Sequence, residues 1–260
     1  MLDTWQLAAL LVAAFGAGLV DAVAGGGGLI QVPALFSALP AESPATIFGT
    51  NKGSSVFGTA NAAWRFARRI DIPWRTTLAM AGAAFVSSFF GAATVAWLPK
   101  DVVRPLVLVL LIAVIAYTAT RRNFGALPAD PSAAPRGSMA AAAAAGAVLG
   151  FYDGFFGPGM GSFVIFALVR WFGLDFLRAT ASAKFVNGAT NVAALAYFAP
   201  SGHVLWGVAL AMAVFNVLGA LVGTRAAIRR GSGFVRVVFL VATALLVAKF
   251  GYDTWLTMVK

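Results

Sequence analysis

Two lysines lie well inside apolar runs of this chain, Lys52 within Ala45 to Phe66 and Lys184 within Ala179 to Ala199. An ionised amine at membrane depth costs at least about 2.5 to 3.5 kcal/mol on insertion scales unless it finds a partner or water. Ser55 and Thr59 follow Lys52 at i+3 and i+7, and Asn187 and Asn191 follow Lys184 at the same spacings. Each lysine therefore shares one helix face with two hydrogen-bonding side chains. Thr50 and Asn51 add polarity beside Lys52. Two such faces meeting would form a pocket of positive charge and donors suited to a small oxyanion. A structural alternative pairs Lys52 with Asp21 and Lys184 with Asp153, and the two readings can coexist.

Glycine clusters supply the second chemistry, Gly25-Gly26-Gly27-Gly28 and Gly157-Pro158-Gly159-Met160-Gly161. Inside apolar runs they predict interrupted helices, whose unpaired N–H groups must face protein or a water-filled cavity. The helix that restarts there carries a partial positive charge at its N-terminus and is an anion site in waiting. No Gly-Lys-Ser/Thr follows the glycine string, and no flanking strand is plausible, so it is neither a phosphate loop nor a dinucleotide fingerprint. The plainer alternative is close helix packing through glycine. Asp21 and Asp153 each precede a glycine turn by four residues. Burial in low dielectric favours the protonated carboxyl, so an aspartate at such depth could couple transport to protons. It could equally cap the broken helix or hold a lysine.

The composition says what must position these groups. Of 260 residues 60% are hydrophobic and 11% charged, which is a bilayer composition rather than a soluble one. At about 20 apolar residues per crossing the length allows roughly eight to ten spans and no attached soluble catalytic domain. The net charge of +10 sits mostly in short loops, where the positive-inside rule explains it without nucleic acid. Absent cysteine and a single histidine, His203, exclude disulfides and multi-histidine metal sites, and with one glutamate, Glu42, the usual catalytic sets are missing. No cofactor and no metal are expected.

Shifted by 132 residues, the sequence matches itself: Gly18, Asp21, Gly25, Gly27 and Lys52 fall on Gly150, Asp153, Gly157, Gly159 and Lys184, and Trp74 falls on Trp206. Residues 1–120 form a first repeat, 121–137 a polar linker with Pro128, Pro131 and Pro135, and 138–260 a second repeat. Arg65, Arg68, Arg69 and Arg75 accompany the start of the Trp74 helix, whereas Arg225, Arg229 and Arg230 follow the Trp206 helix. If arginine marks the cytoplasm, the copies point in opposite directions. The expected fold is an all-α polytopic membrane protein of two inverted-topology repeats, each a Gly-broken helical hairpin plus three long transmembrane helices, with a midplane site. The hairpins, Trp5 to Leu39 and Met139 to Phe172, have arms that either both cross or both stop midway.

The segments Gly-Leu-Val-Asp-Ala-Val-Ala-Gly-Gly-Gly-Gly-Leu-Ile-Gln-Val-Pro at 18 to 33 and Gly-Thr-Asn-Lys-Gly-Ser-Ser at 49 to 55 resemble the sulfite exporter TauE/SafE family of bacterial membrane permeases. Gly-Phe-Tyr-Asp-Gly-Phe-Phe-Gly-Pro-Gly, from Gly150, and the Lys184 helix extend the resemblance to nearly the whole chain. The second half departs from the first in carrying Ser182-Ala183-Lys184 where the first has Thr50-Asn51-Lys52. The resemblance implies movement of small sulfur oxyanions or organosulfonates across the bacterial inner membrane. The functional expectation is a secondary transporter working by alternating access, the two halves or a hairpin-containing core within them rocking against the peripheral Arg104 and Arg236 helices, with a passive anion channel as the alternative. Its partners would be a small anion and the lipid bilayer, and a homo-oligomer is left open.

Overall fold

In a computed structural model the chain is described at residues 3–99, 102, 103, 106, 109 and 137–259, with side chains beyond 235 described at 237, 238 and 241 alone. The expected linker, except Gly137, lies outside the described residues, as do Arg104 and the Arg236 side chain.

Eight helices and no strand occur among the described residues: α1 (Thr4–Ala24), α2 (Gly28–Ala38), α3 (Pro44–Ala67), α4 (Trp74–Trp97), α5 (Met139–Phe155), α6 (Met160–Arg170), α7 (Phe176–Phe198) and α8 (Trp206–Val259). The last is two helices joined at a kink, since Gly231 has φ 72 and ψ −171, outside the helical region. That break falls between two apolar runs of the sequence, Val204 to Ile228 and Phe234 to Phe250. Helix starts have local causes. Ser43 accepts a hydrogen bond from the Thr46 N–H with Pro44 beside it, and Ser138 accepts from the Ala141 N–H.

Asp175 opens α7, its carboxylate accepting from the N–H groups of Leu177 and Arg178 and from the Ser232 hydroxyl. It thus ties the start of α7 to the segment after the kink. Asp175→Ala removes both cap bonds and is expected to cost about 1 to 2 kcal/mol. In a detergent melting series this lowers the midpoint, while Asp175→Asn recovers most of it; equal losses would argue against the cap.

Helices α1, α4 and the Trp206–Val235 stretch are long and apolar enough to cross a membrane. Trp5, Val12, Leu78, Val86, Phe90, Val148, Leu210, Val214 and Val222 are exposed on the outside of the bundle, an apolar belt that belongs in lipid. The polar helices α3 and α7 are enclosed instead: Thr50, Asn51, Lys52, Ser54, Thr59, Ser182, Lys184, Asn187 and Asn191 are all buried. This is a polytopic membrane protein with its polar helices inside.

The two halves share element boundaries at the 132-residue offset, α2 with α6 and the starts of α3 and α4 with those of α7 and α8. The most extensive packing joins the halves, α4 against α5 and α1 against α8. Glycine makes these seams possible. Gly18 lies against the Asn216 backbone and Gly223 against that of Leu19, as their counterparts Gly150 and Gly91 lie against Ala84 and Phe151. Along each seam the residue numbers rise together, so α1 runs with α8 and α5 with α4. Thr50 with Leu205, Gly53 with Ala209 and Gly58 with Asn216 show that α3 also runs with α8. Two apolar clusters flank the centre, one around Phe66, Ile72, Phe172 and Ala227, the other around Leu35, Phe48, Phe198 and Val204.

Candidate functional site

Both glycine turns fall at the centre of the bundle and touch one another. Gly25 and its counterpart Gly157 have φ of 74 and 91, a left-handed conformation that ends α1 and α5 and that a side chain would strain. The space is also closed: a Cβ on Gly161 would lie 2.6 Å from the Gly25 carbonyl oxygen and 2.7 Å from Asn187 Nδ2. Across the same junction Ser162 donates to the Ala24 carbonyl at 2.7 Å, and Gly28 faces Pro158. The Tyr152 hydroxyl donates to the Pro158 carbonyl at 2.6 Å and holds the second turn from behind.

The N-termini of α2 and α6 are thereby brought together. The N–H groups of Gly26, Gly27, Gly28 and Gly161 make no backbone hydrogen bond among the described residues. Two helix dipoles therefore present their positive ends to one place.

The lysines arrive from α3 and α7, and each is paired with an aspartate of the opposite half. Lys52 Nζ donates to Asp153 Oδ2 at 2.6 Å, and Lys184 Nζ to Asp21 Oδ2 at 2.8 Å and to the Asp21 carbonyl oxygen. The structural alternative read from the sequence paired the charges within a half, Lys52 with Asp21 and Lys184 with Asp153; the structure pairs them, but across the halves. Each aspartate ends the hairpin helix of one half where it crosses the polar helix of the other, so the near partner in sequence is the far one in space.

A cavity of about 40 Å3 lies at this junction, lined by Asp21, Gly25, Gly27, Gly28, Asn51, Lys52, Ser55, Thr59, Asp153, Gly157, Met160, Gly161, Asn187, Asn191 and Asn216. At roughly 10 to 15 Å3 per water it has room for about three waters or one small solute. Of the residues singled out in the sequence for this site, Thr50, Lys184, Gly26 and Gly159 do not line it. Lys184 is fully buried in its pair with Asp21, and Gly159, at φ 83, shapes the start of α6 from outside the cavity.

Asn216 lines the cavity although it has no counterpart in the first half, whose equivalent is Ala84. Its Nδ2 donates to Gln31 Oε1 and the Ala14 carbonyl, holding α8 to the first hairpin. Met160 was not anticipated, because an apolar residue in an apolar run carries no signal. Thr59 and Asn191, equivalent positions of the two repeats, meet face to face, Asn191 Nδ2 donating to Thr59 Oγ1 at 3.4 Å.

The electrostatics differ from the expectation of two free amines. Lys52, Lys184, Asp21 and Asp153 sum to zero, so what the cavity offers an anion is one shared ammonium, two helix N-termini and side-chain donors. Asn51 Oδ1 and Asn187 Oδ1 are buried there without a hydrogen-bond partner.

Apolar, lipid-length helices around a small enclosed polar chamber, with ion pairs and interrupted helices at its walls, define a membrane transport protein. Residues 10–250 match the family described as Sulfite exporter TauE/SafE, and the chain belongs to that family. It is 36% identical over 248 residues to the probable membrane transporter protein ORF9 of Sinorhizobium sp, covering 95% of this chain and 93% of the relative. With the probable membrane transporter protein YfcA of Escherichia coli K12 it shares 34% identity over 254 residues, 98% and 93% of the two chains. A probable membrane transporter protein of Haemophilus influenzae is 32% identical over 248 residues, 95% of each chain. No solved structure matches. The protein is thus a multi-pass bacterial membrane transporter rather than an enzyme.

Proposed function

We propose that the protein is a secondary transporter of small anions, sulfite or organosulfonates, that binds them at the central cavity and works by alternating access. The observation that carries this reading is the cavity itself, where the Lys52 ammonium, the α2 and α6 N-termini and Asn51, Asn187, Asn191 and Asn216 converge. Its small volume supports a transporter over a passive channel with the same lining. In proteoliposomes, trans-stimulation of labelled sulfite efflux by unlabelled sulfite is expected; flux without counterflow would favour the channel.

Residues 1–120 and 138–260 act as inverted repeats in this reading. Support comes from the packing directions: α1, α3 and α8 run together and α4 runs with α5, while the short 68–73 connection turns α4 back against α3. The first helices of the two halves then oppose one another. The arginines that end α3 also share a groove with those late in α8, as a single cytoplasmic face requires. Rocking of one half against the other about the Gly25–Gly161 junction would open the cavity to each side in turn.

Proton coupling follows from the charge balance. An anion entering a chamber of zero net charge brings an uncompensated negative charge into low dielectric. When it takes the Lys52 ammonium, Asp153 loses its partner, and a proton on that carboxylate restores neutrality. One anion and one proton would cross together, with Asp153 as the carrier and Asp21, held by the hidden Lys184, in the supporting role. An inward-acidic or outward-acidic pH jump across vesicles tests it. In Asp153→Asn protein that gel filtration shows to be folded, since Lys52 has lost its buried partner, exchange of labelled for unlabelled sulfite is expected to persist while accumulation driven by the pH difference is lost; undiminished accumulation would exclude Asp153 as the carrier.

A further inference from the structure

Five arginines line a second cavity of about 490 Å3 at the ends of α3 and the straight part of α8: Arg65, Arg68, Arg69, Arg225 and Arg229, with Trp64 and Ile228. No acidic residue lines it, and none of the five has a salt bridge among the described residues. Arg68 is fixed with its guanidinium 4.1 Å from the Trp64 ring centre, and Arg65 Nε donates to Asn61 Oδ1 at 3.0 Å. Positive-inside bias alone scatters arginines through loops; here they converge from both halves on one concavity.

The repeat provides an internal control. At the 132-residue offset Arg65, Arg68, Arg69, Arg225 and Arg229 correspond to Tyr197, Pro200, Ser201, Ala93 and Trp97, none of them charged. There an aromatic contact bridges the same junction: Trp97 Nε1 donates to the Tyr197 hydroxyl at 2.9 Å, and Phe89 packs edge-on against Tyr197. One end of the molecule carries a cationic groove and its counterpart an uncharged aromatic contact.

The groove shares its walls with the central cavity. Thr59 of α3 and Asn216 of α8 line the cavity, and Arg65 and Arg225 follow them by six and nine residues, roughly 9 and 14 Å along the helices at 1.5 Å per residue. We infer that this groove is a second, peripheral oxyanion site, one that gathers sulfite or sulfonate from the cytoplasm beside the entry to the Lys52 cavity; the inference rests on the transport reading above. Paired guanidiniums match an oxyanion in bidentate geometry, and a cationic concavity raises the local anion concentration by at least about tenfold at low salt.

The test is sulfite transport from the arginine side in phosphatidylcholine vesicles at low and high ionic strength. Arg65→Gln/Arg225→Gln/Arg229→Gln is expected to raise KM about tenfold at low salt and to flatten its salt dependence, the effect falling on KM rather than on the maximal rate. Arg→Lys at the same positions should restore the salt dependence and part of the affinity. An unchanged KM and salt profile overturns the groove while leaving Lys52-dependent transport standing. A KM difference that appears only when phosphatidylglycerol is added overturns it too, since the groove would then hold lipid headgroups. Binding separates the two readings further. Purified Lys52→Met/Asp153→Asn protein, its folding checked by gel filtration, should still bind sulfite with salt-sensitive affinity, and adding the triple substitution should abolish that binding. Loss of all sulfite binding in the folded double variant alone would overturn the second site.

Discussion

Lys52→Met/Asp153→Asn protein is expected to fold and to carry sulfite at least about 100-fold more slowly, whereas Lys184→Met/Asp21→Asn should stay within about tenfold of the unaltered transporter, a gap equal to roughly 1.4 kcal/mol or more. Paired replacement is necessary because removing one member of a buried ion pair strands the other and costs about 3 to 5 kcal/mol by itself. Replacing both members with uncharged side chains avoids that penalty and isolates the functional loss. The two pairs look alike in sequence but differ in position. Lys52 lines the cavity, while Lys184 is fully enclosed and bound to both the carboxylate and the carbonyl of Asp21. In the proposed mechanism an anion competes for the first ammonium, and the second lies outside the cavity lining. Flux measured in proteoliposomes, with protein recovery checked by gel filtration, decides it, and equal losses in the two double variants would sink the assignment.

Gly25→Ala and Gly161→Ala are expected to leave little folded protein, while Gly26→Ala between them should be tolerated. At Gly25 the residue pays twice, in left-handed strain of about 1 to 2 kcal/mol and in a Cβ driven into the Gly161 backbone. At Gly161 the added carbon meets the Gly25 carbonyl and the Asn187 amide. At Gly26 the nearest atoms are side chains 3.7 Å away or more, ordinary contact distance. A loss of at least about 3 kcal/mol at the first two positions corresponds to a midpoint roughly 6 to 12 °C lower, and Gly26→Ala should stay within about 2 °C. If all three variants melt together, the junction between the hairpins is not the tightly packed contact that the proposed rocking motion needs.

Much of the site was legible because its residue types are costly where they stand. Lysine, aspartate and asparagine in apolar runs need a physical reason, and the 132-residue repeat marked the same positions twice. Asn216 is polar in an apolar run but breaks the repeat, which makes it only a weaker pocket candidate in the sequence, while Met160, apolar among apolar residues, carries no signal at all. The arginines were visible as loop charge, but their convergence was not, since α3 and α8 are separated by more than a hundred residues and only packing brings their ends together.

Composition and periodicity are local properties, and they determined by themselves that this chain is a helical membrane protein with two duplicated halves, interrupted helices and a set of buried polar groups. Tertiary structure alone decided which group meets which. Lys52 could have satisfied its charge with Asp21 or with Asp153 at similar electrostatic gain, because attraction between charges depends on distance through space and not on separation along the chain. The close seams of α1 with α8 and α4 with α5 carry each aspartate to the lysine of the other half. That exchange leaves one ammonium at the cavity and hides the other.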